Sequence, residues 1–232
     1  MITIRKSEDR GRTGADWLDS RHTFSFAEYR DPAHVHFGAL RVINEDIIAA
    51  GGGFAPHPHR DMEIVTYILS GALAHKDSLG SGSTIRPGEI QRMSAGTGIV
   101  HSEFNASKDE PVHLLQIWIV PSKEGIAPSY EQKAIAPEAV AGKFARIAAP
   151  DPGEREVRLV QDTEIWAAKL DEGAVANHAL KPGRHAWVQV ARGEAELDGQ
   201  VLKAGDGAAI SGETNVTLLA RAPSEILLFD LA

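Results

Sequence analysis

The chain contains no cysteine among its 232 residues. This absence excludes disulfide bonds, thiolate zinc sites and cysteine nucleophiles together. The sequence also has no apolar run long enough to span a bilayer, and residues 1–6 lack the apolar block of a signal peptide. We therefore expect a cytoplasmic protein that does not associate with membranes.

Clustered basic residues are scarce as well. The formal net charge is −8, and no run of Lys or Arg of the nuclear-localisation type is present. Binding to nucleic acid needs Lys and Arg gathered on one surface, because the phosphates supply most of the affinity. We expect no direct contact with nucleic acid, whereas an acidic chain of this kind can still bind a protein partner.

Histidine, with 10 residues, is the residue type left for metal chemistry. Two short pairs stand among residues that otherwise read as buried strand: His57 with His59, and His101 with Glu103. Both pairs are spaced i, i+2, so on a β-strand each pair points to one face, about 6.6 Å apart along the backbone. If the two strands are neighbours in a barrel, three imidazoles and one carboxylate point into one interior.

Such a donor set suits a divalent transition metal. Neutral imidazole and carboxylate oxygen bind Fe, Mn, Co, Ni, Cu or Zn without thiolates, so the residues do not choose among these ions. Four protein ligands on an octahedral ion leave two positions open, and a metal needs open positions to take part in chemistry. We expect one divalent ion, with Fe(II) as the first candidate.

Glycines at fixed places extend this pattern to two motifs. The order of residues resembles the two sequence motifs of the cupin superfamily: Gly51, His57, His59, Glu63 and Gly71, then Gly88, His101 and Asn105. Gly71 falls one residue late, Ser94 replaces the usual proline, and His101 falls two residues late. In most cupins the acidic ligand comes from the first motif, which would make Glu63 the ligand.

Three longer runs resemble the pirin family of bicupins. They are residues 17–26, 57–63 and 93–103, and the resemblance covers most of residues 1–132. In pirins the ligands are the two histidines of the first pair with the histidine and glutamate of the second. The resemblance therefore implies four metal ligands here and makes Glu63 a neighbour of the metal; the ligands are His57, His59, His101 and Glu103.

The resemblance also implies a function. Some bacterial pirins open the heterocycle of flavonols such as quercetin with dioxygen, which implies a quercetin 2,3-dioxygenase-like oxidoreductase acting on O2 and a flat aromatic substrate. Glu103 would then be both a ligand and the catalytic proton acceptor. Animal pirins are described as nuclear transcription co-regulators, so the alternative is a metal-binding regulatory protein that acts through a protein partner without catalysis. A third reading is a cupin isomerase or sugar-binding module. The walls of the substrate pocket are expected to be apolar, with five candidates: Phe24, Phe26, Phe54, Ile64 and Trp118.

Short strands with turns roughly every eight to twelve residues predict an all-β protein. Residues 1–37 are interpreted as a strand and loop that close one end of a barrel, in preference to a role in substrate binding, and residues 39–44 as a strand that ends in a turn at 44–46. The remaining histidines, His75 among them, are assigned structural roles. Prolines and glycines within residues 121–160 indicate a connector.

The second half repeats the hairpins of the first without its ligands. When Gly193 is aligned with Gly71, Lys181 and Ala179 fall at the positions of His59 and His57. We therefore predict two cupin (jelly-roll) barrels in tandem. Residues 1–135 form the metal-binding barrel, and residues 136–232 form a degenerate barrel together with the connector.

Overall fold

The computed structural model describes all 232 residues, and nearly all of its regular structure is β-strand. This confirms the all-β prediction. A single short α-helix is present, α1 (Pro137–Val140), and no helix has the length and hydropathy of a transmembrane span. The strands, in chain order, are β1 (Ile2–Arg5), β2 (Gly11–Ala15), β3 (Leu18–His22), β4 (Leu40–Ile48), β5 (Gly53–His59), β6 (Glu63–Ser70), β7 (Leu73–Asp77), β8 (Gly82–Ile85), β9 (Glu89–Ser94), β10 (Ile99–Asn105), β11 (Val112–Ile119), β12 (Ser129–Ala134), β13 (Ala145–Ala149), β14 (Val157–Arg158), β15 (Thr163–Leu170), β16 (Val175–Ala179), β17 (His185–Arg192), β18 (Glu194–Leu197), β19 (Gln200–Lys203), β20 (Gly207–Ser211), β21 (Asn215–Ala220) and β22 (Ser224–Leu231).

The chain divides into two compact units. The first comprises Gly11–Ala134 with Val157–Gln161, and the second comprises Met1–Arg10, Ile135–Glu156 and Asp162–Ala232. The N-terminal strand β1 thus belongs with the second half of the chain, where it pairs antiparallel with β20. The sequence-based boundary near residue 135 stays a prediction.

The first unit contains two antiparallel sheets. The larger has the strand order β12-β9-β6-β11-β4-β3-β2, and the smaller has the order β5-β10-β7-β8. Two sheets of this kind are the jelly-roll form of a barrel. Apolar side chains fill the unit in two clusters, one around Leu73 and Leu114 and the other around Ile64 and Met93. The smaller sheet carries all four residues that the sequence predicts as metal ligands.

Strand β4 is longer than the sequence predicts. The predicted turn at residues 44–46 is wrong, because β4 continues through it and pairs along its length with β11 and β3. Both neighbours satisfy the backbone hydrogen bonds of this segment, and that pairing outweighs the preference of Asn and Asp for turns. As a result Asn44 and Asp46 lie on the same face of a buried strand.

The second unit repeats the two-sheet arrangement. Its strands follow the orders β1-β20-β17-β22-β15-β13 and β16-β21-β18-β19. Its core is almost wholly aliphatic, with Val188, Leu218 and Leu228 buried in one cluster. Asp230 is a buried charged group of this unit, and it accepts hydrogen bonds from His178 (2.8 Å) and Arg184. Aliphatic packing and buried ion pairs of this kind therefore stabilise the unit.

Candidate metal centre

Strands β5 and β10 bring the two predicted pairs together. They pair antiparallel, with His57 directly opposite His101 and Phe54 opposite Glu103. The register shifts between His101 and Glu103, so the strands meet through a bulge. Gly53 permits the close approach, because a Cβ at this position would collide with the backbone of β10 at Glu103 and Phe104.

Three imidazoles converge at this crossing. The ligand nitrogens of His57, His59 and His101 all lie within 4.8 Å of one another. The ring centroid of His101 is 4.4 Å from that of His57 and 4.8 Å from that of His59. Both His101 nitrogens are buried without any hydrogen-bond partner. Unsatisfied buried polar atoms are costly and rare, and a cation at the crossing would satisfy one of them. The donor set therefore fits a metal ion.

The protonation states of these rings favour cation binding. Burial, reinforced by the neighbouring imidazoles, lowers the pKa of His101 to about 2 and the pKa of His59 to about 4. Both rings are therefore neutral near pH 7, which is the form that binds metals. The Nδ1 of His57 lies 2.8 Å from the backbone oxygen of Ala55. Because that carbonyl can only accept, His57 donates from Nδ1, which leaves Nε2 as the nitrogen that can face a metal ion.

Glu103 lies on the same strand but in a different group of side chains. It is 3% exposed, and the Nε2 of Gln116 donates to its two oxygens at 3.2 and 2.9 Å. Burial raises the pKa of Glu103 to about 7, with a further contribution from the charge of Asp46 and an opposing one from Gln116. A carboxylate oxygen of Glu103 lies within 4.8 Å of a ring nitrogen of His75 and of a ring nitrogen of His101. The structure thus brings the expected residues into two triads that share His101.

Sequence reasoning missed His75, which it assigned a structural role. This residue lies on β7 directly opposite Glu103, and it forms a further i, i+2 pair with Asp77. Its Nε2 is 3.1 Å from Asp77 Oδ2, whereas its Nδ1 is buried without a partner. The other oxygen of Asp77 accepts the backbone N–H groups of Leu79 and Ser81, so the carboxylate is held firmly. The signal was the i, i+2 spacing, which marks this pair as it marks the other two.

Glu63 belongs to neither triad. Its carboxylate accepts the backbone N–H of Val160 at 2.9 Å, that of Gln161 at 3.1 Å, and the Ser94 hydroxyl at 3.1 Å. Burial raises its pKa, and these hydrogen bonds oppose the rise. These donors occupy the carboxylate of Glu63, so its role here is structural.

A cavity of about 300 Å³ adjoins the imidazoles, and His57, His59 and Glu103 lie on its wall. Three of the five expected wall residues line it, namely Phe26, Phe54 and Trp118. The other two, Phe24 and Ile64, are buried in the core and do not line this cavity. A largely apolar cavity with few polar groups is the common form of a small-molecule site, and this volume lies at the lower end of the usual range of roughly 300–1,000 Å³.

Polar residues of β3 and β4 line another part of the same cavity, although β3 lies in the segment that was expected to close one end of a barrel rather than to bind substrate. Ser20 and His22 of β3 and Asn44 and Asp46 of β4 all border it. The alternation of polar side chains along each strand was the available signal.

Comparison with known proteins gives the following matches. The family model described as Pirin matches residues 3–119, and the model described as Quercetinase C-terminal cupin domain matches residues 146–231. The protein named quercetin 2,3-dioxygenase from Escherichia coli (strain K12) is 47% identical, with 100% of this chain and 99% of that protein covered. A putative quercetin 2,3-dioxygenase from Pseudomonas aeruginosa, PA1210, is 42% identical over 100% of both chains.

Solved structures agree with these matches. The crystal structure of bacterial pirin YhhW in complex with nickel(II), from Escherichia coli, superposes with a TM-score of 0.94 at 45% identity, covering 100% of this chain and 99% of that one. The Escherichia coli protein YhaK superposes with a TM-score of 0.76 at 31% identity, covering 95% of this chain and 93% of that one.

Proposed function

Because the chain belongs to the pirin family, we propose that it is a metal-dependent dioxygenase that opens the heterocycle of flavonols such as quercetin with O2. The observation that carries this proposal is the convergence of the imidazoles of His57, His59 and His101 beside a largely apolar cavity, with His57 and His59 on its wall. The proposal is supported by relatives named quercetin 2,3-dioxygenase, or putative quercetin 2,3-dioxygenase, which this chain matches over nearly their full length.

The proposed metal ligands are His57, His59, His101 and Glu103. The unpartnered nitrogens of His101 and the free Nε2 of His57 support the assignment, and Fe(II) is the proposed ion. The nickel(II) complex of YhhW concerns that protein and supports a site open to several divalent ions. When bound, a divalent ion supplies Lewis acidity, which lowers the pKa of a coordinated hydroxyl.

Glu103 is the proposed proton acceptor of the site. Glu103 borders the cavity, so its carboxylate can receive a proton from the hydroxyl of a bound substrate. Gln116 fixes the carboxylate by donating to both oxygens, and Thr66 donates to the amide oxygen of Gln116 at 3.1 Å. The base therefore has a defined orientation before substrate arrives.

The apolar wall is the part of the site that accommodates the substrate. Phe26 and Trp118 meet edge to face with ring centroids 5.4 Å apart, and Trp118 also packs edge-on against His59 at 4.9 Å. Aromatic rings of this kind offer a surface for a flat aromatic molecule and exclude water from the reacting face. The substrates we propose are therefore a flavonol and O2.

Oxygen uptake in the presence of quercetin tests the proposal. Protein loaded with Fe(II) is expected to consume O2, and His101→Ala is expected to lower the rate to background. His36→Ala, at an exposed histidine whose Nδ1 hydrogen-bonds only to the backbone of Gly38, is the matched control and should keep the rate. A fully metallated wild type that turns over no flavonol would overturn the proposal and would favour the regulatory alternative.

Elemental analysis addresses the identity of the ion. Protein purified without added metal would be analysed and then assayed after exchange into Fe(II), Mn(II), Co(II), Ni(II) and Cu(II). We expect Fe(II) to restore the highest rate. The cytoplasmic location and a protein partner stay predictions.

A further inference from the structure

The first unit contains a further set of paired polar residues on neighbouring strands. Ser20 lies directly opposite Asp46, and His22 lies directly opposite Asn44, across the β3–β4 pairing. All four side chains belong to residues that are at most 4% exposed. We call these four residues the polar wall, because they line the cavity that also contains His57 and His59.

Hydrogen bonds fix the orientation of the polar wall. Ser20 donates its hydroxyl proton to Asp46 Oδ1. The Nδ1 of His22 is 2.8 Å from Asn44 Oδ1, and its Nε2 is 2.8 Å from the Thr13 hydroxyl. An amide oxygen only accepts, so His22 donates from Nδ1, and a neutral ring then accepts the Thr13 proton at Nε2. The wall is thus ordered in the absence of ligand.

Packing alone does not call for this arrangement. Residues 42, 44, 46 and 48 share one face of β4, and the outer two, Val42 and Ile48, are buried aliphatic residues. Polar groups at the middle two positions carry a desolvation cost that aliphatic residues would avoid. They lie on the face where the strand borders the cavity, and a few fixed polar groups in an apolar cavity are the feature that orients a ligand.

We propose that the polar wall recognises the hydroxyl substituents of the substrate, so that the substrate class is polyhydroxylated flavonols. This inference rests on the proposed function and adds the selection among flavonols. A carboxylate has about four lone-pair sites, so Asp46 can accept a phenolic hydroxyl alongside the partners it already has, Ser20 among them. Hydrogen bonds to a charged acceptor are short and strong, and a site built around them rejects analogues that lack the donor.

Three flavonols provide the probe. Quercetin, kaempferol and galangin share the reacting heterocycle and differ only in the hydroxyl groups of the pendant ring. Affinity would be measured without O2 by quenching of tryptophan fluorescence in the zinc-loaded protein, and kcat/KM would be measured with the Fe(II) enzyme. The wild type is expected to prefer quercetin to galangin by roughly tenfold or more in both measurements.

Variants connect this preference to the wall. Asp46→Asn is expected to weaken quercetin binding roughly tenfold more than galangin binding, so the preference collapses. Glu45→Gln is the matched control, because Glu45 is the adjacent residue on β4 and pairs with His113 at 2.9 Å, outside the cavity. It should leave the preference intact. Ser20→Ala retains the Asp46 carboxylate but removes the Ser20 hydroxyl that donates to it. A lone pair of Asp46 then becomes available to the substrate, so the preference for quercetin should increase.

The outcomes separate this inference from the proposed function. Equal wild-type affinity for the three flavonols would overturn the inference, as would an Asp46→Asn variant that weakens all three equally or a Ser20→Ala variant with unchanged preference. If the Fe(II) enzyme turns over all three flavonols at equal kcat/KM, the dioxygenase proposal stands without the inference. Absence of both binding and turnover would remove both.

Discussion

His75 and His101 lie on adjacent strands with their ring centroids 5.3 Å apart, yet their surroundings differ sharply. His75 is held by the Asp77 carboxylate, whereas neither nitrogen of His101 has a hydrogen-bond partner. The first ring therefore has a fixed tautomer, with its proton on Nε2 and a lone pair on Nδ1. The second is free to ligate a cation. Together with Glu103 they form the more buried of the two triads.

Replacing Asp77 with asparagine is expected to move the His75 proton. The asparagine oxygen would keep the backbone N–H groups of Leu79 and Ser81, so its amide nitrogen would face His75 Nε2 as a donor. His75 would then carry its proton on Nδ1, and this N–H would compete with the metal for the carboxylate of the neighbouring Glu103. Metal affinity, measured by competition with a chelator, should fall about tenfold or more. Glu45→Gln is the control, and an unchanged affinity in Asp77→Asn would count against a role for His75.

The buried carboxyl group of Glu103 gives the metal-free protein a distinctive pH dependence. Its pKa rises from 4.5 to about 7 on folding, so between these values the folded state holds a proton that the unfolded state has lost. The contribution of Glu103 to stability is therefore full below pH 4.5 and declines as the pH rises to about 7. At about 1.4 kcal/mol per pH unit, the decline amounts to about 3 kcal/mol.

Glu103→Gln should abolish that decline. Urea unfolding of the wild type and the variant at a series of pH values would isolate the Glu103 contribution as the difference between them. The subtraction is necessary because the lowered pKa values of His59 and His101 act in the opposite sense, raising stability as the pH rises. A difference that stays constant from pH 4.5 to 7 would contradict the prediction.

Gly53 is expected to be essential for the register of β5 against β10. Gly53→Ala would place a Cβ against the backbone of Glu103 and Phe104, separating the strands that carry the histidines. Metal content after dialysis, measured by elemental analysis, should drop well below one ion per chain. Gly51→Ala is the control: that position has φ +70° with no atom within 4 Å of a Cβ, so it should cost about 1 kcal/mol of stability and retain the metal. Equal metal content in both variants would disprove the close-approach argument.

Asp230 is expected to be the critical charge of the second unit. Burial raises its pKa, but hydrogen bonds from His178 and Arg184 outweigh burial and lower it overall. Its contribution to stability is therefore present above pH 3.8 and is lost as the pH falls further, through its folded value. Asp230→Asn should reduce the free energy of unfolding at pH 7 by about 3 kcal/mol, because it removes the buried counter-charge of Arg184, whose other ion-pair partner, Asp162, is largely exposed.

Asp151→Asn is the matched control for that measurement. Asp151 also pairs with an arginine, Arg146, at 3.1 Å, but its side chain is 79% exposed. Exposed pairs contribute about 0–1 kcal/mol, so the control should unfold almost like the wild type. Similar losses of unfolding free energy in both variants would contradict the prediction that the buried Asp230 network contributes more than an exposed ion pair.

Much of the fold and part of the site follow from the sequence. The period of a β-strand dictates that His57 and His59 share a face, as do His101 and Glu103, and the structure places both pairs on adjacent strands. The prediction of two cupin-type domains is confirmed by the two family models that match the two halves of the chain. Strand periodicity and long matching runs are local properties, which is why they can be recognised without a structure.

The features that the sequence did not predict depend on pairing between strands that are distant in the chain. The regular antiparallel pairing of β10 with β7 sets Glu103 opposite His75, and nothing within β10 alone reveals it. The predicted turn at residues 44–46 failed for a related reason: its polar residues are typical of turns unless two neighbouring strands hold them extended. Burial of Asn44 beside His22 is a property of the assembled sheet, so the polar wall could be found only in three dimensions.

Strands β3 and β4 belong to the seven-stranded sheet of the first unit, while β5, β7 and β10 belong to the four-stranded one. Substitutions at positions 20, 22, 44 and 46 are therefore expected to change the substrate preference without altering the strands that carry the proposed metal ligands. Substrate preference and metal binding could then evolve independently, because the residues proposed for each lie on strands of different sheets.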